Sequence, residues 1–583
     1  MTPYKPTLNA ALLAVWLPLS AAAAPPLDTA RPALGSNLSD WKDWSPEQSF
    51  INLFKTSRSW ITQAPGVWDT AEQARLDLDA DGWVRSLPSD SDSTLRYRTV
   101  STLLLVGEAL GAARPGGEYI VLYHGEGRLD YRLGAKKIDA RSKPGRDVIL
   151  VDKDNPGGIQ IIIAETDPRH SGQYLRDIRV VPPGKLCDDD LLAFCPQNSD
   201  PACRRPACRS LESALADRLF HPLFLKTLNH YQALRFMNPL SANVIDDKLP
   251  QPVGWSDRAS PGQARWNSQA GVPPEIALAL SNQVQADSWL NMPHRASDDY
   301  IRQFARLARI SLAPARRVYV EYGNEIWNTA FSAGRWVEQQ GQAAWPQASD
   351  SPYTKRINWY GVRSAEMCDI WKAEWAGAED RVVCVLAAQA ANTWTANAAL
   401  DCRLWAHAPC QAHGIKAIAI APYFGQYLGN PVAEAAVAGW TAEADGGLNR
   451  LFAELDHGGQ LPGGEAGGAL AATSRQIGQY AELARRRGLA LLAYEGGQHL
   501  AGVGPVANND KITALFTAAN RDPRMGASYQ TLLHDWHRAG GGLFMHFSSM
   551  GAYGRYGSWG ALENLGQAGS PKTEALFKYI QDN

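Results

Sequence analysis

The chain has 583 residues, 20% of them charged and 45% hydrophobic, with a formal net charge of −2. That balance leaves no electrostatic footprint for nucleic acid or an anionic membrane surface, and the length suffices for one large domain plus an accessory one. Aromatic residues are abundant instead (20 Trp, 20 Tyr and 14 Phe), and their flat faces either fill a core or stack on the C–H faces of sugars.

At the N-terminus, Lys5 precedes an apolar run over 8–19, then Ser20 and Ala21 to Ala24 before Pro25. A short apolar run ending in small residues predicts a cleaved signal peptide over 1–24, hence a secreted or periplasmic protein. The run is too short to span a bilayer. The first cysteine is Cys187, so no lipid anchor on an early cysteine is expected.

A strand is predicted at 33–37 and a helical stretch at 45–55, both within an N-terminal segment 25–66. Residues 67–185 differ in character. Alternating runs at 119–123, 148–151, 159–163 and 178–181 are separated by Gly, Pro and Asp, the pattern of an antiparallel sandwich. Inside it, Asp77, Asp79, Asp81 and Gly82 match the first half of a calcium loop. The twelfth position is Pro88 where a bidentate Glu is needed, so a turn is the better reading. Four of the eight cysteines (Cys187, Cys195, Cys203, Cys208) crowd together with no C-x-x-C spacing and no His among them. Two local disulfides are expected there, not a zinc knuckle, with connectivity open.

From 186 to 583 strands and helices alternate. Helices are predicted at 211–231, 274–282, 298–310, 359–376, 396–413, 474–487, 529–539 and 573–580. Strands are predicted at 233–237, 284–289, 317–322, 381–387, 415–421, 489–494 and 542–547. These strands are short and largely apolar on both faces, as parallel strands under helices must be. Seven strand–helix units follow residue 233, and the strand at 33–37 would complete an α/β (β/α)₈ TIM barrel, with the β-rich sandwich-like module inserted after its first strand.

Two of these strands run into a carboxylate. Strand 317–322 continues into Gly323, Asn324, Glu325, Ile326 and Trp327. Strand 489–494 continues into Glu495, Gly496 and Gly497. Three strand–helix units separate the two glutamates, and both fall on the C-terminal barrel face where such sites are built. Retaining glycoside hydrolysis needs two carboxyls about 5–5.5 Å apart, one acid/base and one nucleophile.

At this point the sequence resembles the clan A glycoside hydrolases, such as the family 5 cellulases. A strand, then E-x-x-N-E, then an aromatic residue, looks like that clan's fourth barrel strand. The resemblance implies Glu325 as acid/base, Asn324 as a ligand of the sugar 2-OH and Glu495, ending the seventh strand, as nucleophile. Arg235 resembles the clan's second-strand arginine, which would orient the nucleophile. Glu321 could brace the site from within its strand. The strand-end positions of His294, Tyr423, Trp289, Trp394, Phe547 and Trp559 make them candidates for binding substrate. A diffuse likeness to large exported bacterial proteins labelled cellulose-binding adds nothing about substrate.

The expected function is thus a secreted retaining glycoside hydrolase acting on β-linked polysaccharide of the β-glucan or cellulose type. The partner is a poly- or oligosaccharide, with no cofactor, metal, nucleic acid or membrane anchor, and the chain is expected to be monomeric. The rival readings are a non-catalytic polysaccharide-binding barrel and a transglycosylase using the same carboxylates. No G-x-S-x-G follows a strand and no H-E-x-x-H occurs, which leaves a serine hydrolase or a metallopeptidase without support.

Overall fold

The computed structural model describes residues 31–107, 115–196, 204–243 and 252–581. The signal-peptide segment 1–24 lies outside them. Eight parallel strands close into a barrel: β1 Ala33–Asn37, β2 Ala233–Arg235, β3 Asp287–Met292, β4 Val318–Tyr322, β5 Val382–Ala387, β6 Ile415–Ile420, β7 Ala490–Ala493 and β8 Leu543–His546. Each is followed by a helix: α1 Pro222–Leu228, α2 Pro274–Gln283, α3 Asp298–Ser311, α4 Pro352–Glu374, α5 Thr393–Asp401, α6 Gly468–Arg487, α7 Pro523–Arg538 and α8 Pro571–Gln581. β1 pairs with β8 through Ala33↔Leu543 and with β2 through Asn37↔Arg235, which closes the ring.

The apolar strands divide their side chains by the two-residue repeat. In β5, Val383, Val385 and Ala387 point into the barrel, beside Trp289, Tyr319, Leu492 and Met545. Val382, Cys384 and Leu386 point outward under the helices. Gly35 of β1 is required by this filling, because a Cβ there would collide with the Met545 side chain and the Ala233 carbonyl.

Between β1 and β2 lies the inserted β module. One antiparallel sheet runs Ile61–Gln63, Thr99–Leu104, Ile159–Thr166, Gly127–Leu133. The other runs Ala135–Lys137, Arg146–Val151, Gly117–His124, Arg176–Val181. Val100, Ile161 and Ile163 of the first share a core with Tyr119, Val121 and Ile149 of the second, separate from the barrel's. The first of these strands begins at Ile61, six residues before the predicted boundary at 67. The calcium-like loop is a turn. The Asp79 carboxylate accepts the Asp81 and Trp83 amides and the Tyr174 hydroxyl, at 2.8–3.0 Å, so it caps the backbone of the turn.

Several expected elements come out differently. The helix predicted at 45–55 is only a 3₁₀ turn, Leu53–Thr56, capped by the Asn52 side chain, which also accepts the Val180 amide of a module strand at 3.0 Å. The helix predicted at 211–231 breaks into Leu211–Ala214 and α1, with His221 capping the second. The helix predicted at 396–413 ends at Asp401, because Cys402 adopts φ 32° and joins Cys410 in a disulfide. Cys187 pairs with Cys208, and Cys368 pairs with Cys384. Cys195 is also disulfide-bonded, while Cys203 lies outside the described residues. Among the described residues no helix is long and apolar enough to cross a membrane.

Candidate active site

The C-terminal ends of the barrel strands carry a polar layer whose centre is Arg235. Inward positions on adjacent strands stand in register: Asn37↔Arg235, Arg235↔Trp289 and Asn291↔Glu321. The Arg235 guanidinium is fully buried between the rings of Trp289 and Tyr494, 5.8 and 5.2 Å from their centroids. It donates to Glu321 (2.8 and 3.1 Å), Asn37 Oδ1 (2.9 Å), Asn324 Oδ1 (2.7 Å) and Glu495 Oε1 (2.9 Å). Glu321 Oε2 also accepts the Trp289 indole N–H and the Asn291 amide, each at 2.8 Å. A guanidinium presents a rigid fork of donors that lysine lacks, so it can hold two carboxylates and two amides at once.

Glu325 follows β4 through a tight turn, at φ 45°, with its carbonyl accepting the Asn328 amide at 2.8 Å. Its carboxyl accepts from the Tyr494 hydroxyl and from Asn328 Nδ2, both at 3.1 Å. Among the described residues no cation forms an ion pair with it. Glu495 accepts from Arg235 on one oxygen and from the Tyr423 hydroxyl on the other, at 3.0 Å. Tyr423 is held in place because Tyr423–Phe424 pairs with Gly497–Gln498 as a two-stranded ribbon beside the barrel.

Burial raises both carboxyls above the ordinary range. For Glu495, burial pushes the group up to about 7, opposed by Arg235 and by the Tyr423 hydroxyl, while Glu325 pushes it further up. Two carboxyls in one buried site titrate as a pair and share a proton near neutrality. Each carboxyl accepts a phenol hydroxyl, and the direct guanidinium donor, which Glu325 lacks, favours the charge on Glu495.

Both glutamates line one cavity of about 700 Å³. Asn324, Tyr423, Tyr494, Phe547 and Trp559 line it too, as do Trp327 and His499, which sequence reading did not single out. Trp289 stands beneath the cavity, fully buried and bonded to Glu321, and has no face for a sugar. His294 faces a separate hollow beside Trp336 and Trp359. Trp394 is 40% exposed and packs on Tyr353 outside the cavity lining. Asn37 and Asn291 belong to the layer and were not foreseen. Asn37 ends β1 and Asn291 is the penultimate residue of β3, and their shared level shows only once the strands are aligned. No group of three or more His, Cys, Asp or Glu among the described residues is arranged to hold a metal.

The fold and site together define a (β/α)₈ barrel with a paired-carboxyl cavity at its C-terminal face. No family model matches the sequence and no curated protein matches it, so the likeness to proteins labelled cellulose-binding has no support. Among solved structures, the chain is similar to a GH5-4 broad-specificity endoglucanase from Clostridium acetobutylicum (10% identity, 65% of this chain and 93% of that one, TM-score 0.33). Another is the corresponding endoglucanase from Clostridum cellulovorans (8%, 61% and 86%, TM-score 0.31). A third is a 4-O-alpha-L-rhamnosyl-beta-D-glucuronidase from Fusarium oxysporum 12S (12%, 60% and 61%, TM-score 0.33). At that distance the likeness bears on neither substrate nor residue roles.

Proposed function

We propose that this chain is a secreted retaining glycoside hydrolase of β-linked polysaccharide, with Glu325 as acid/base and Glu495 as nucleophile. The observation that carries the reading is the contrast between two carboxyls in one cavity: Glu495 held by Arg235 and Tyr423, Glu325 by neutral donors only. An ionised carboxylate can attack the anomeric carbon, while a protonated one can deliver its proton to the leaving oxygen. After departure of the first product, Glu325 takes a proton from water, which attacks the glycosyl–Glu495 ester. Asn324, its Oδ1 engaged by Arg235, keeps its amide N–H groups for the sugar 2-OH. The disulfides suit the oxidising compartment that export implies. The test is hydrolysis of a panel of β-glucans, xylan and mannan, followed by NMR of the first-formed anomer. Release of the β-anomer is expected. Release of the α-anomer, or no hydrolysis across the panel, refutes the reading.

A further inference from the structure

The cavity has a charge character that its size alone does not require. Among the described residues lining it there is no Lys and no Arg, and three carboxyls face it: Glu325, Glu495 and Glu465. The remaining polar lining is uncharged: amides such as Asn328, Asn430, Gln389 and Gln476, and the hydroxyls of Tyr423, Tyr427, Tyr494 and Thr473. His499 adds no charge, because burial holds its imidazole below the ordinary range. Arg235 lies buried behind the carboxylates, its charge engaged by Glu321 and Glu495.

Glu465 has no place in the double displacement, yet the fold takes care to fix it. It sits on the glycine-rich turn between the helix Leu448–Asp456 and α6. The buried Glu454 gathers that turn, accepting the amides of Gln460 (2.6 Å) and Leu461 (3.1 Å) and the hydroxyl of the cavity residue Tyr427 (2.7 Å). Gly464 must be glycine here, since a Cβ would strike the Glu454 carboxylate. Among the described residues Glu465 pairs with Arg475, 3.6 Å away and, like Glu465, about half exposed, so water screens the pair. Arg475 does not line the cavity.

We propose that Glu465 sets the charge specificity of the site: the cavity takes glycans whose sugars are neutral or carry an amine, and it rejects uronic acids. This rests on the glycosidase reading for its substrate class, but the charge preference can be read from binding alone. A sugar carboxylate placed beside Glu465 and the ionised Glu495 meets like charge, which selects against it.

The experiment uses three β-1,4-linked hexasaccharides of equal length: glucose, its C6-oxidised uronate form, and glucosamine. Binding to the full chain is measured by calorimetry at low and high salt, and hydrolysis is followed in parallel. Wild type is expected to bind the uronate at least about tenfold more weakly than the other two, with the gap narrowing as salt rises. Glu465→Gln should narrow the gap several-fold at low salt and leave the neutral affinity within about twofold. A uronate bound as well as the neutral glycan, a gap unchanged in Glu465→Gln, or binding of none of the three overturns the proposal. Charge-selective binding without hydrolysis sustains it while overturning the enzymatic reading. Hydrolysis without charge preference does the reverse.

Discussion

At the residue scale the site turns on unequal donors. Arg235 and Asn324 were singled out through the clan A resemblance and Tyr423 by its place after a strand, and all three lie within hydrogen-bond reach of the glutamates or of each other. His294 and Trp394 occupy similar termini without entering the cavity, since a terminus fixes where a residue stands but not where its side chain goes. The division of labour between the glutamates makes a sharp prediction. Glu495→Ala should abolish turnover of every substrate, because no covalent intermediate can form. Glu325→Ala should retain the first step on an activated aryl glycoside, whose leaving group needs no proton. Azide should accelerate that variant and yield the β-glycosyl azide. Equal behaviour of the two variants on activated and natural substrates would contradict these roles. Because the pair shares a proton, kcat/KM in wild type should be bell-shaped, the acid limb reporting ionisation of Glu495 and the alkaline limb loss of the Glu325 proton. On the activated substrate, Glu325→Gln should lose the alkaline limb and keep the acid one. An alkaline limb that survives in Glu325→Gln would assign the acid elsewhere. Replacing Arg235 by Met should cost about 3–5 kcal/mol in urea denaturation, since it strands Glu321 and Glu495 in a buried layer.

At the element scale, all eight barrel strands were legible to within about three residues, because buried parallel strands read as short apolar runs between helices. The helix Ser332–Ala344 after β4 was not; it begins without a side-chain cap and carries Gly334 and Gly341, which blunt its helical signature. Nor was the link between the loops after β1 and β8. There the Glu47 carboxyl, fully buried, accepts the Ser39 amide (3.3 Å), the Trp41 indole N–H (3.0 Å) and the Ser549 hydroxyl. It was not visible in the sequence because Ser549, the partner that ties the two loops together, lies 502 positions from Glu47. Burial pushes Glu47 up to about 7 against these donors, from an ordinary 4.5. A carboxyl whose pKa is higher in the folded state contributes stability that is fully present below pH about 4.5 and is lost as pH rises through about 7. Relative to Glu47→Gln, which does not titrate, wild type should therefore lose up to about 3 kcal/mol between pH 4.5 and 7.5. Urea midpoints of both proteins across that range measure it. A difference that stays flat or grows with pH would show that Glu47 ionises normally.

At the scale of the whole molecule, the main hydrophobic core of the barrel and that of the module share no residue among those described. The barrel core surrounds the strands, and the module core lies between its two sheets. The insertion was legible because antiparallel alternation differs from the apolar runs of the barrel; its start was misplaced because Ile61–Gln63 is only three residues long and carries little pattern. Barrel closure needs β1 from one side of the insertion and β2 from the other, paired through Gly35↔Ala233 and Asn37↔Arg235. The module must therefore return the chain close to its point of departure, and Asn37 can meet Arg235 only if it does. This separates stability from catalysis in a testable way. Ile161 is fully buried in the module core and far in sequence from every cavity residue. Ile161→Ala should destabilise the protein by about 2–4 kcal/mol, the ordinary cost of a large-to-small change in a packed core. Because the lesion is confined to the module, it should appear as an earlier transition in denaturant, and kcat/KM of the folded enzyme at low temperature should stay within about twofold of wild type. Leu492 fills the barrel interior directly below the carboxylates' strand ends, and Leu492→Ala is the matched control. It should cost a similar amount and also lower kcat/KM, because Tyr494 and Glu495 follow it on the same strand. If Ile161→Ala lowers kcat/KM as far as Leu492→Ala does at equal stability loss, the module is coupled to the cavity and the two cores do not act independently.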